Sequence, residues 1–137
     1  MGLILDSSVL IAAERKGRNA RQALAEIALR AAGEDVALSV VTVLELAHGA
    51  ARANTPERKA TRQQFIRELM AAIPVHPVSA SVALRAGQID GESMARGVTL
   101  PLSDLLIAVT ALDLGYRVAT GNVRHFQAVP GVSVVPF

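Results

Sequence analysis

Apolar and polar residues follow two different periods along this chain. Five short aliphatic or β-branched runs, Leu3–Leu5, Val36–Ser39, Val75–Val78, Arg117–Thr120 and Val132–Val135, are bounded by polar or turn residues and read as strands. Pro77 puts the third of them at a sheet edge. Between the strands the pattern turns helical. A helix starts at Val9–Glu14, and another covers Asn19–Ala32 and stops at Gly33. Val41–Ala53 follows, then a helix opened by Thr55-Pro56-Glu57 that reaches about Ala72 before Pro74. Ser79 caps a helix to about Arg96, and Ser103 caps Asp104–Leu114, which Gly115 ends. Asn122–Gln127 is a turn or short helix. Strands alternating with helices predict an α/β fold, a mostly parallel central sheet flanked by helices. A length of 137 residues suits one domain, residues 1–137.

Composition narrows the function classes. Hydrophobic residues make up 51%, which excludes disorder. The abundance of small apolar side chains suggests that some are covered by a partner or a second copy. The four aromatic residues, Phe65, Tyr116, Phe126 and Phe137, are too few for a base-stacking platform. There is no cysteine, which excludes disulfides, thiolate catalysis and thiolate-bound metals. The longest apolar run, Leu105–Leu112, is far short of the ~18 residues a membrane helix needs. No signal peptide is expected either, because no basic segment precedes a long apolar one at the amino terminus. A net charge of +2 implies no nucleic acid by itself, but Arg15, Lys16, Arg18 and Arg21 cluster just after the first strand.

Three acids stand in apolar surroundings. Asp6 ends the strand Leu3–Leu5, Glu45 interrupts Val41–Ala47, and Asp104 opens the apolar helix up to Leu114. Each also has an ordinary reading: Asp6 as a turn or capping residue, Glu45 on an exposed stripe with His48 and Arg52, Asp104 as a first-turn partner of the helix dipole. Strand carboxyl ends and helix amino ends are where open α/β sheets hold ligands, so all three converging on one crevice is the functional expectation. Asn122 fits a turn residue or a neutral ligand to a metal or its water. His125 reads as a surface or half-buried histidine rather than a ligand, and Glu14, Asp90 and Glu92 as solvated acids; Asp113 faces away from Asp104. An all-oxygen set of this kind selects Mg²⁺ or Mn²⁺, and such ions act typically on phosphate esters. Ser8 stands where phosphatases with an aspartyl-phosphate intermediate carry a second Asp, and no Gly-rich phosphate loop exists.

In order, the segments Leu5-Asp6-Ser7-Ser8-Val9-Leu10-Ile11-Ala12, Val43-Leu44-Glu45-Leu46, Ser103-Asp104-Leu105-Leu106-Ile107-Ala108 and Ala119-Thr120-Gly121-Asn122 with His125-Phe126 resemble PIN-domain nucleases. In length and order they are most similar to VapC toxins of bacterial toxin–antitoxin pairs. The resemblance implies a PIN-like fold and a Mg²⁺- or Mn²⁺-dependent endoribonuclease that cuts structured RNA such as tRNA or rRNA. It implies a small cognate antitoxin that occludes the site, a homodimer and a cytoplasmic location. It carries the metal acids onto Asp6, Glu45 and Asp104, gives Ser7 or Ser8 the task of orienting Asp6, and has Thr120 hydrogen-bond within the site. The family's fourth acid is missing, since Asn122 and His125 occupy that segment. One tightly held ion is therefore expected, with Asn122 a neutral partner. Arg15, Lys16, Arg18 and Arg21 would form part of the RNA-contacting rim. The alternative is a catalytically weak RNA- or protein-binding module on the same fold.

Overall fold

The computed structural model describes all residues from 1 to 137. Five strands, β1 (Gly2–Leu5), β2 (Asp35–Ser39), β3 (Val75–His76), β4 (Arg117–Thr120) and β5 (Val134–Pro136), form one sheet in the order β3-β2-β1-β4-β5. Every pairing is parallel. Seven helices connect and flank them: α1 (Ser7–Arg15), α2 (Ala20–Ala31), α3 (Val40–Ala51), α4 (Pro56–Ala72), α5 (Ala80–Ala95), α6 (Leu102–Leu114) and α7 (Val123–Gln127).

The two-residue period of the strands divides the apolar interior. Leu3 and Leu5 point into one core with Leu38, Ala119, Leu10, Ile27, Phe65 and Leu69, so that face is covered by α1, α2 and α4. Ile4 points the other way, with Ala37 and Val118, into a second core closed by Val82 and Ala86 of α5, Leu105–Val109 of α6, and Phe126 of α7. Strands buried on both faces read as near-continuous apolar runs, which is how β1 was legible.

Most local signals act as the sequence suggests. Asn19, expected as the first residue of α2, is instead its cap: it accepts from the Gln22 N–H at 2.8 Å while the Gln22 side chain returns a bond to the Asn19 N–H, a complete capping box. Thr55 and Ser79 cap α4 and α5 through the N–H groups of Arg58 and Val82. Ser103 does not cap α6. The helix begins at Leu102 behind Pro101, so Ser103 already sits inside the first turn and its side chain makes no capping bond. The helix α2 ends at Ala31, before the expected Ala32, because Ala32 takes the left-handed conformation at φ 51° ahead of Gly33 at 86°. β5 begins at Val134, two residues after the expected start, since the turn through Gly131 is still closing at Val132.

Chain order reverses between β1 and β4. From β1 the sheet grows outward through β2 to β3, and the later strands β4 and β5 add on the other side. The crevice of such a sheet lies at the carboxyl ends of the two central strands. Asp6 directly follows β1, and Thr120 is the last residue of β4.

Candidate metal centre

Asp6 is the anchor. It is 3% exposed, and its backbone N–H donates to the Ala119 carbonyl at 2.9 Å, continuing the β1–β4 ladder one step past the strand. Its Oδ2 accepts from the Ser8 hydroxyl at 2.6 Å and the Thr120 hydroxyl at 2.9 Å. Each hydroxyl is itself oriented by a backbone donor: Gly121 N–H to Ser8 Oγ at 3.0 Å, and Asn122 N–H to Thr120 Oγ1 at 2.9 Å. With their lone pairs so engaged, both hydroxyl protons are directed at one carboxylate oxygen. Oδ1 takes no hydrogen bond from the protein. Of the two serines, Ser8 holds Asp6, while the Ser7 hydroxyl lies on the Glu45 side.

Glu45 is delivered by α3. The Thr42 hydroxyl donates to the Leu5 carbonyl at 3.2 Å and pins the helix against the end of β1. Glu45 lies three residues later, on the same face, and so turns toward Asp6. Its Oε1 is buried without any hydrogen-bond partner. Burial pushes its carboxyl above the usual range, the charges of Asp6 and then Asp104 push it further, and the nearby Ser7 hydroxyl opposes them. His48 and Arg52 do not share this setting: both are exposed while Glu45 is half-buried.

Asp104 comes from the first turn of α6, with its side chain 14% exposed. Burial raises its carboxyl, the charge of Asp6 adds to this, and His125 counteracts both. The His125 Nδ1 stands 3.3 Å from Asp104 Oδ2, its own side chain 60% exposed. His125 is thus a surface histidine, as expected, and also a neighbour of Asp104. The packing of α7 on α6 that brings it there is invisible in sequence. Asn122 is exposed at φ −112°, outside the left-handed region, and its contribution to the network is its backbone N–H.

Glu14 also departs from expectation. It is not a freely solvated acid but half-buried, and burial raises its carboxyl while Arg62 lowers it. It lines a groove of about 660 Å³ that opens beside Glu45 between α1, α3 and α4, with Arg15, Arg58 and Arg62 on its walls. Arg62 is fixed there by a 2.8 Å bond to the Gly49 carbonyl. The four expected rim cations are therefore divided. Arg15 lines the groove, Arg18 is paired with Glu26 at 2.7 Å, and Lys16 and Arg21 are exposed outside it. The α4 arginines were missed because they join α1 only through tertiary packing.

The acids fit a hard divalent cation. They supply only oxygen donors, repel one another, and leave one buried carboxylate oxygen unpartnered. No three His, Asp or Glu side chains are drawn into a closed ligand cluster.

A PIN-domain family model matches residues 3–132. The chain is 27% identical over 135 residues to ribonuclease VapC1 of Rickettsia felis, covering 98% of this chain and 96% of that protein. It is 36% identical over 138 residues to ribonuclease VapC10 of Mycobacterium tuberculosis, covering 94% and 96%. Among solved structures, VapBC2 from Rickettsia felis bound to a promoter DNA fragment has the same fold. The TM-score is 0.84 at 20% identity, with 100% of this chain and 99% of that chain covered.

Proposed function

The chain belongs to the PIN-domain family, with VapC ribonucleases among its relatives, and on that footing we propose that it is a metal-dependent endoribonuclease and the toxin of a toxin–antitoxin pair. The observation that carries the chemistry is the unpartnered Glu45 Oε1 beside two further carboxylates, one of them fixed by two hydroxyls. Asp6, Glu45 and Asp104 would hold Mg²⁺ or Mn²⁺, whose bound charge polarises a water and the phosphate oxygens.

The protein's own part is positional. Ser8 and Thr120 hold Asp6 Oδ2, which leaves Oδ1, free of protein hydrogen bonds, as the ligand oxygen. Glu45 Oε1 is the oxygen free to accept a hydrogen bond from a water on the α3 side. Asp104 closes the opposite side, kept in place by His125. Arg15, at the groove mouth next to Glu45, is the cation best situated to take a flanking RNA phosphate. Lys16, Arg18 and Arg21 would act farther out, as a diffuse attraction for structured RNA such as tRNA or rRNA. Asn122 is a neutral neighbour that orders substrate or water. The solved VapBC relatives support a cognate antitoxin as partner; a homodimer and a cytoplasmic location complete the reading.

Cleavage of tRNA and rRNA by the purified chain tests this, with Mg²⁺ or Mn²⁺ present or chelated, and with Asp6→Asn as the control. Metal-dependent cutting that Asp6→Asn abolishes is expected, together with growth arrest on expression and rescue by the adjacent gene. Cleavage that persists in chelator, or in Asp6→Asn, would overturn it.

A further inference from the structure

The Thr120 hydroxyl on Asp6 is only as well aimed as the end of β4 that carries it, and that end is held from outside. Thr120 lies opposite Pro136 in the β4–β5 register. In a parallel ladder the residue one past the register partner supplies the donor, so Phe137, next after Pro136, gives its N–H to the Thr120 carbonyl at 3.0 Å. The backbone of Phe137 also lies against Gly121, the residue whose N–H orients Ser8: a side-chain carbon at Gly121 would stand 3.8 Å from the Phe137 carbonyl. The Phe137 ring is held in turn. It packs partly buried against the α1/α2 core, and the Arg30 guanidinium of α2 lies over it, 4.2 Å from the centroid.

We infer that Arg30 and Phe137 are positioning residues for the Asp6 carboxylate, a latch that acts through Thr120. A continuous series of contacts runs from the Arg30 guanidinium to the Phe137 ring, through the Phe137 N–H to the Thr120 carbonyl, and from the Thr120 hydroxyl to Asp6 Oδ2. Neither residue lies among the three acids, and neither carries a signal in the sequence beyond an ordinary apolar end and an ordinary helix arginine. The latch sets how well one oxygen of Asp6 is presented, hence ion affinity and turnover, more than it sets global stability. The inference rests on the reading of Asp6 as a metal ligand.

Coupling to Thr120 is the test, since a general loss of packing would not be confined to one partner. Mn²⁺ affinity is measured by calorimetric titration of the full chain, alongside RNA cleavage and thermal melting. Thr120→Val should weaken Mn²⁺ about tenfold, the usual cost of an outer hydrogen-bond partner. Phe137→Ala should weaken it about fivefold in the native background but less than about twofold on top of Thr120→Val. Phe137→Tyr, which keeps the ring, should restore native affinity, and Arg30→Gln should cost about twofold. Should Phe137→Ala fold poorly, Arg30→Gln combined with Thr120→Val carries the same comparison. Equal losses from Phe137→Ala in both backgrounds, or native affinity in Phe137→Ala while Asp6→Asn loses the ion, would overturn the latch alone. Native Mn²⁺ affinity in Asp6→Asn would overturn the metal reading and the latch with it.

Discussion

At the amino-terminal edge of the sheet Arg117 donates to both carboxylate oxygens of Glu34, at 2.7 and 2.8 Å, while at the carboxyl edge the charge of Asp6 bears on Glu45 and Asp104, and the His125 ring stands 3.3 Å from Asp104. The first edge is complete as it stands. Its acid has a base, and the Tyr116 ring closes over Gly2, where a side chain would have no room. The second edge carries like charges, a buried oxygen without a partner, and hydroxyls spent on holding one acid still. Repulsion of this kind costs stability in the isolated chain, so it persists where a ligand offsets it. One end of the sheet serves the fold, and the other carries the acids proposed to hold a cation.

Substitutions at the two edges should therefore separate activity from stability. Asp6→Asn leaves the shape of the site intact and removes the anchored charge. Cleavage should fall by about a thousandfold, roughly 4 kcal/mol of transition-state stabilisation, with little change in melting temperature. Activity above a tenth of native would place the chemistry elsewhere.

Gly2→Ala is the converse. The added carbon would sit 2.5 Å from the Tyr116 ring, so the ring or the strand must shift. A loss of about 1–3 kcal/mol is expected, read in denaturant unfolding, with kcat preserved in the surviving folded fraction. A fall in kcat matching that of Asp6→Asn would mean that the two edges are not independent.

The sequence was most informative where one side chain decides the outcome locally. Leu3–Leu5 reads as a buried strand, and Thr55 and Ser79 bond the N–H groups their spacing allows. Ser103 misled because Pro101 already fixes the helix start two residues earlier. The acids were legible as charges in apolar segments, and Ser8 and Thr120 followed from the family resemblance, but the neighbours brought in by helix packing were not. His125 reaches Asp104 through helix packing, and Glu14 meets Arg62 across 48 positions of chain, the difference between 62 and 14. Phe137 sits on Thr120 because β5 happens to end there. Periodicity reports which face a residue takes and says nothing of what lies across from it.

Titration gives a smaller and signed contrast. The carboxyls of Glu45 and Asp104 are raised in the folded chain, chiefly by burial and next by the charge of Asp6. The folded state then keeps protons that the unfolded chain has already released. Stability of the metal-free protein should fall as pH rises from the ordinary carboxylate range through the raised folded values, and level off above them. Asp104→Asn should flatten that decline, and saturating Mg²⁺ should offset it near neutrality, since the ion binds only the folded form. Melting temperatures across pH with chelator and with Mg²⁺ measure this. A metal-free protein that gains stability over the same pH interval would contradict the crowded-acid account.

The smallest effect belongs to Asn122, at the boundary of the acidic edge. Its backbone N–H orients the Thr120 hydroxyl, a role any residue but proline can fill, while its side chain is exposed and makes no hydrogen bond to the protein. Asn122→Ala should therefore lower cleavage by only a few-fold, on the order of one lost neutral hydrogen bond of about 1 kcal/mol to water or substrate. Asn122→Asp tests the same position in the other direction. A fourth carboxylate beside three others attracts a divalent ion more strongly, so Mn²⁺ affinity should rise, and more so at low salt, where the added charge is less screened. If Asn122→Ala cleaves at the native rate and Asn122→Asp leaves Mn²⁺ affinity unchanged, the acidic edge ends at Asp104, and Asn122 contributes its backbone alone.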